Sequence, residues 1–160
     1  MSASMFLKLD GVTGDSTKRD GEMDIVSWSW DMSQPGTAHL GKGQGGGKVT
    51  VSDVQLTRYI DSSTAILMQM CCQGKHIAEA VVTVQRANGD DDPLEYMVLT
   101  MKNVFITNVS PSISEGDYLG MEAISLNFES YDIEIKTQTE TGGGGASQKG
   151  KFNMAKGKAA

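Results

Sequence analysis

Gly43-Gln-Gly-Gly-Gly-Lys48 has the residue types of a phosphate-cradling loop, in which backbone N–H groups and a lysine hold a nucleotide. Two details argue against it. Position 42 is Lys rather than Gly, and Val49 stands where Ser or Thr would hold magnesium. A strand-like run follows, so there is no helix N-terminus to receive phosphate. The segment reads better as an extended interaction loop. Cys71 and Cys72 are adjacent, which is neither C-x-x-C nor metal-ligand spacing, and such a pair is expected to be helix core. With two histidines in the chain, a Cys/His zinc site is not expected. His39 lies in the loop with no acid beside it, while His76 enters a strand as a structural hydrogen-bonder. Asp90-Asp91-Asp92 lacks the alternating spacing and closing Glu of a calcium loop and reads as a solvated hairpin tip. No Ser–His–Asp or paired-carboxylate arrangement has supporting context. No catalytic residue, metal or cofactor is therefore expected, and the chain does not read as an enzyme.

The elements that would carry these residues are nearly all strands. Met5, Leu7 and Leu9 alternate onto one side of a strand, with Lys8 on the other. From Asp24 to Met32 the alternation places Val26, Trp28, Trp30 and Met32 on one face and Ser27, Ser29 and Asp31 on the other. Trp28 and Trp30 are expected to anchor a barrel core, where each indole buries a large area. Ala78, Ala80, Val82 and Val84 align in a further strand, which Asn88-Gly89 closes as a hairpin turn. Leu94 to Val109 is long and apolar on both faces for part of its length. Two runs switch their apolar face midway: Val49/Val51 gives way to Val54/Leu56, and Ile124/Leu126/Phe128 to Tyr131/Ile133/Ile135. Such a switch requires a bulge or sharp bend, which is how an antiparallel sheet curls into a barrel. One helix interrupts, from Ser62 or Ser63 to Gln73, with Asp61-Ser-Ser-Thr supplying cap candidates, Ile66, Leu67, Met70 and Cys71 as its stripe, and Gly74 at its C-terminal cap. The fold expected is mainly β: a small antiparallel barrel with one flanking α-helix and a long extended loop.

Composition sets the outer limits. The 160 residues fit one domain, and no run approaches the roughly 18 apolar residues of a spanning helix. Glycine is in excess, 19 of 160, concentrated in the loop Ser33–Lys48 and in Gly142–Gly145. Residues 1–138 are expected to form the barrel domain and 139–160 a flexible tail rich in Gly and Lys. That tail holds Lys149, Lys151, Lys156 and Lys158. The residues from Met1 to Thr141 carry 10 basic against 20 acidic residues. A body of that sign repels phosphate and anionic lipid, so neither nucleic-acid binding nor membrane insertion is expected. The N-terminus turns strand-like at once, with no apolar stretch of the length a signal peptide needs. A cytoplasmic folding site is expected, with any export by another route.

Taken in order, Met5-Phe-Leu-Lys-Leu9, Ile25-Val-Ser-Trp-Ser-Trp-Asp-Met-Ser-Gln34, Gly-Gly-Gly-Lys48-Val49, Val54-Gln-Leu-Thr-Arg-Tyr-Ile-Asp61, Cys72-Gln-Gly-Lys-His76 and Ile124-Ser-Leu-Asn-Phe128 resemble the haemolysin co-regulated protein (Hcp) family. The resemblance covers roughly residues 1–137. It implies the tube subunit of the bacterial type VI secretion system: a β-barrel assembling as a homohexameric ring, the rings stacking into an inner tube. It further implies small effector proteins bound, protected and exported in the lumen, a spike protein at the tube tip, a surrounding sheath, and secretion without a signal peptide. A phage-tail-tube-like protein shares the ring geometry, and a stand-alone barrel that binds a ligand is the distant alternative.

The resemblance also implies roles for residues. Ser29 matches the family's lumen-facing serine, and Ser27 and Asp31 share its face. Periodicity alone leaves open whether that face meets a lumen or bulk solvent. The loop would reach neighbouring subunits and the adjoining ring, with Gln34, Pro35, Gly36, His39, Leu40 and Lys42 as its assembly and stacking residues.

Overall fold

In a computed structural model of the chain, the described residues are 3–36, 39, 48–88, 91–139 and 144–159. Ten strands and one helix follow in order. They are β1 (Ala3–Leu9), β2 (Met23–Ile25), β3 (Ser27–Ser29), β4 (Met32–Ser33), β5 (Thr50–Val51), β6 (Val54–Tyr59), α1 (Thr64–Gln73), β7 (Ile77–Asn88), β8 (Asp91–Ser112), β9 (Met121–Gln138) and β10 (Gly144–Asn153).

The main sheet runs β2-β1-β7-β8-β9-β6-β3, with antiparallel pairing throughout. Its two ends are β2 and β3, which only Val26 separates. The sheet thus curls until its edges are two halves of one bent strand, and Val26 N donates to Thr57 O across the seam. This is the expected antiparallel barrel with one helix, nearly closed. A barrel without free edges leaves fewer unpaired backbone groups open to other chains.

The bend at Val26 changes which residues face inward. Met23 and Ile25 are buried in β2, whereas Val26 and Met32 are exposed. Trp28 and Trp30 are half-buried and pack against the core rather than at its centre. The single alternating run expected from Asp24 to Met32 is broken across three short strands, β2, β3 and β4, because the chain leaves β1 and joins β6 there. The run from Val49 is likewise two strands, β5 and β6. Ser52 sits at the break, where its hydroxyl accepts from Asp31 N and its carbonyl accepts from Trp30 Nε1.

A second change of face crosses three strands at one level. Buried positions shift from Ala80 to Ile77 on β7, from Met101 to Val104 on β8, and from Tyr131 to Phe128 on β9. Yet the β8/β9 register runs unbroken from Met97↔Ile135 to Ile106↔Leu126. The strands therefore fold together about a shared crease, without an inserted residue. Asn103 supplies the bend with φ of 52°, a left-handed conformation that Asn tolerates better than most residues. Its side chain bridges the crease, receiving His76 Nδ1 on Oδ1 at 2.8 Å and donating from Nδ2 to Glu129 Oε2 at 2.9 Å.

The helix ends as expected at Gly74, whose φ of 59° is the left-handed capping conformation, with its N–H bonded to Cys71 O. Its buried stripe differs: Thr64, Leu67 and Met70 point inward, Ile66 is exposed, Cys71 is half-buried and Cys72 is exposed. The two cysteines are thus not a core pair. Thr64 is drawn in because its hydroxyl joins a buried polar cluster around Arg58.

The segment after Thr139 also departs from expectation. Instead of a flexible tail, Gly144–Asn153 forms β10 along the outer half of β9. The register sets Lys149 opposite Glu134 and Lys151 opposite Asp132, while Phe152 meets Tyr131. Cross-strand charge pairing and burial of Phe152 and Met154 give this Lys-rich segment a reason to order that its composition conceals.

Candidate functional site

On the side of β3 opposite Trp28, Ser27 and Ser29 point away from the core, as the alternation requires. What surrounds them is set by register. Ser27 pairs with Thr57, Thr57 with Ala123, and Ala123 with Ser110. One step along, Ser29 pairs with Gln55, Gln55 with Ser125, and Ser125 with Asn108. Two rows of small or amide side chains therefore cross β3, β6, β9 and β8 without a charge. The opposite face of the same strands holds Leu56, Ile124 and Val109 against the core.

The wall is knitted within itself. The Ser27 and Thr57 hydroxyls hydrogen-bond, Ser125 Oγ donates to Gln55 Oε1 at 2.6 Å, and Asn108 Nδ2 donates to Ser110 Oγ at 3.0 Å. Below the rows, Asp53 accepts from Thr107 Oγ1 and Asn127 Nδ2. Thr107 is the extra residue where the β8/β9 register shifts, and that shift brings Asn108 and Ser110 to the wall while Val109 turns inward. No titratable side chain lies in the two rows themselves. They offer hydrogen-bond donors and acceptors to a hydrated protein surface.

The sequence-derived residues divide accordingly. Ser27 and Ser29 lie in the wall. Asp31 is exposed just beyond it, its carbonyl accepting from Ser52 N. Gln34, Pro35 and Gly36 lie exposed beyond β4, and His39 is exposed as well. Leu40 and Lys42 lie outside the described residues. Gln55, Thr57, Asn108, Ser110 and Ser125 escaped the sequence reading. In β6 the alternation of Gln55 and Thr57 with Val54 and Leu56 was a usable signal, but nothing local linked it to β3.

A second concavity lies between the β4–β5 ribbon and the crease. Val49, Val51, Phe105, Phe128, Phe152 and Met154 line this groove of about 1090 Å³, with Lys48 and Glu129 among its charged residues. The ribbon forms its own two-stranded sheet, so it stands off the barrel wall and leaves the groove open. Trp30 packs edge-on against Phe128 and Tyr131 at its base. Among the described residues no group of His, Cys, Asp and Glu could hold a metal ion.

Comparison with known proteins agrees with this architecture. The family model "Type VI secretion system effector, Hcp" matches residues 6–135. Protein hcp1 of Pseudomonas aeruginosa is 38% identical over 144 residues, covering 89% of this chain and 88% of that protein. The crystal structure of Hcp1 from Salmonella typhimurium superposes with a TM-score of 0.82 at 31% identity, over 100% of both chains. A structure described as a type six secretion system protein reaches a TM-score of 0.90 at 18% identity, over 99% of this chain and 100% of its own, and shows the shared fold. A barrel closed at Val26, a single flanking helix and a family match across most of the chain converge: the chain belongs to the Hcp family of the type VI secretion system.

Proposed function

We propose that the neutral wall of β3, β6, β9 and β8 lines the lumen of a homohexameric ring and there holds small effector proteins during export. Membership of the Hcp family makes the chain a structural, secreted protein of a self-associating type VI tube. The lumen assignment goes further, and the two uncharged rows through Ser27 and Ser29 carry it. Each protein–protein hydrogen bond made there replaces bonds to water and contributes about 0.5–1.5 kcal/mol net. Six copies of the wall around a lumen multiply that weak grip, so a guest is held by many exchangeable contacts and still released. A charged wall would instead favour guests of one sign and bind them tightly at low salt.

On the same reading, the β4–β5 ribbon carries the segment from Gln34 through Pro35, Gly36, His39, Leu40 and Lys42 toward neighbouring subunits and the adjoining ring. The spike protein caps the resulting tube and the sheath surrounds it.

Ser29→Arg is the test of the lumen. Rings should still form, seen as sixfold particles by electron microscopy, while effector co-purification falls at least tenfold. Undiminished effector recovery with the variant ring would remove the wall from the binding role.

A further inference from the structure

The barrel circuit closes on itself at Val26, but β10 lies off it. Among the described residues β10 pairs with β9 and with no other strand. Its far edge is therefore open, and the hydrogen bonds at its end show which residues supply that edge. Met154 N donates to Glu129 O, toward β9, whereas Asn153 N donates to Lys158 O on the opposite side, both at 2.8 Å. In an antiparallel ladder the N–H and C=O of one residue share a side, and the side alternates along the strand. The register from Ser147↔Lys136 to Asn153↔Ser130 is continuous. Gln148, Gly150 and Phe152 thus bond to β9, while Ser147, Lys149 and Lys151 aim their N–H and C=O groups outward. All three are exposed. An open row of backbone donors and acceptors is a template for another strand.

The side chains along this edge select what can pair with it. Lys149 and Lys151 have Glu134 and Asp132 opposite them, on the β9 flank only. Residues 144–160 also hold Lys156 and Lys158 and contain no acid. Lys158 stands at the end of the open flank, where its carbonyl accepts from Asn153. A strand arriving there meets lysines at alternate positions. Directly opposed like charges destabilise a strand pair, and opposite charges stabilise it. Two β10 edges brought together antiparallel about Gly150 would set lysine against lysine at both ends, so the edge works against pairing with itself. A carboxylate-bearing strand meets the reverse, since each of its acids completes a row of acid, lysine and acid across the sheet.

We propose that the Ser147–Lys151 edge binds an extended acidic segment of another protein, with carboxylates at alternate positions, by adding it to the sheet as a further strand. Main-chain bonds supply the affinity, and the lysines supply the choice of sign. The site depends neither on the ring nor on its lumen.

The experiment uses the full chain and two peptides, acetyl-TEVEVEVT-amide and acetyl-TKVKVKVT-amide, each carrying an uncharged dye for fluorescence anisotropy. The acidic peptide should bind at least tenfold more tightly than the basic one. Lys149→Gln with Lys151→Gln should erase most of that difference. Two further readouts separate strand addition from charge attraction alone. N-methylation of alternate amides in the acidic peptide should weaken binding at least tenfold in one register and little in the other. With the acidic peptide at saturation, amide exchange should slow at least tenfold at Ser147, Lys149 and Lys151 and stay unchanged at Gln148, Gly150 and Phe152. The proposal is overturned by no binding of the acidic peptide, by equal binding of the two peptides, or by a preference that survives the double substitution. Equal effects of the two methylation registers, or exchange slowed without the alternation, would overturn it as well.

Discussion

Arg58 lies fully buried beneath the start of α1, where its guanidinium meets Glu122, Asp61, Ser63 and Thr64. Asp61 Oδ1 in turn accepts from Ser63 N and its hydroxyl, so one arginine ties β6, β9 and the helix start together. Removing one partner leaves an unpaired charge in a low-dielectric site, which costs about 3–5 kcal/mol. Arg58→Ala should lose stability of that order in urea denaturation. Arg58→Met with Glu122→Leu should lose far less, since neither charge is then stranded. Glu129 tests the outer surface. Hydrogen bonds from Asn103 and Asn153, with a smaller attraction from Lys156, hold its carboxyl below the ordinary carboxylate range. Its folded pKa is depressed, so its stabilising effect is present above the unfolded carboxylate pKa and is lost as pH falls through the folded one. Amide exchange over residues 153–158, corrected for intrinsic rate, should quicken across that acid window. In Glu129→Gln the pH dependence should vanish.

Among the elements, β10 has the most to say about how composition misleads. Its Gly and Lys content suggests a flexible segment, yet its lysines fall opposite Glu134 and Asp132, and Phe152 and Met154 half-bury beside Tyr131. Each half-buried apolar side chain contributes on the order of 1 kcal/mol. Deleting residues 144–160 should therefore cost at least about 2 kcal/mol, or roughly 4–8 °C in Tm for a domain of this size. It also uncovers the outer edge of β9, so aggregation on heating should increase. A scanning calorimetry trace superposable on that of the full chain would show β10 to be energetically idle. The crease through Asn103 was legible in another way. The shift from Phe128 to Tyr131 announced a bend in sequence, but placed it on β9 alone. Only the pairing of three strands shows that Ile77, Val104 and Phe128 switch together.

At the scale of the whole molecule, a closed barrel solves each subunit's edges and leaves assembly to what projects from it. The β4–β5 ribbon is outside the barrel sheet. Deleting Gly36 to Gly45 should leave a chain with unchanged far-ultraviolet circular dichroism and intact rings, whose tubes no longer extend under the electron microscope. Tubes of normal length would take the stacking role from this loop. Such a deletion is tolerated thermodynamically because closure entropy changes slowly with loop length.

By itself the sequence determined the class of fold, the helix with its Gly74 cap, the face on which Ser27 and Ser29 lie, and the ordered motifs of the Hcp family. These follow from local rules: alternation of period two, capping chemistry and motifs read along one chain. The tertiary structure decided what stands next to those serines. Ser29 pairs with Gln55 and so falls in one row with Ser125 and Asn108 only through register, across sequence separations of up to more than half the chain. The same holds for Val26, turned outward at the barrel seam, and for Lys149 and Lys151 of β10, set opposite Glu134 and Asp132 of β9. Alternation tells which side a residue faces. The partner on that side depends on which strand arrives beside it, and that is settled by packing over the whole barrel.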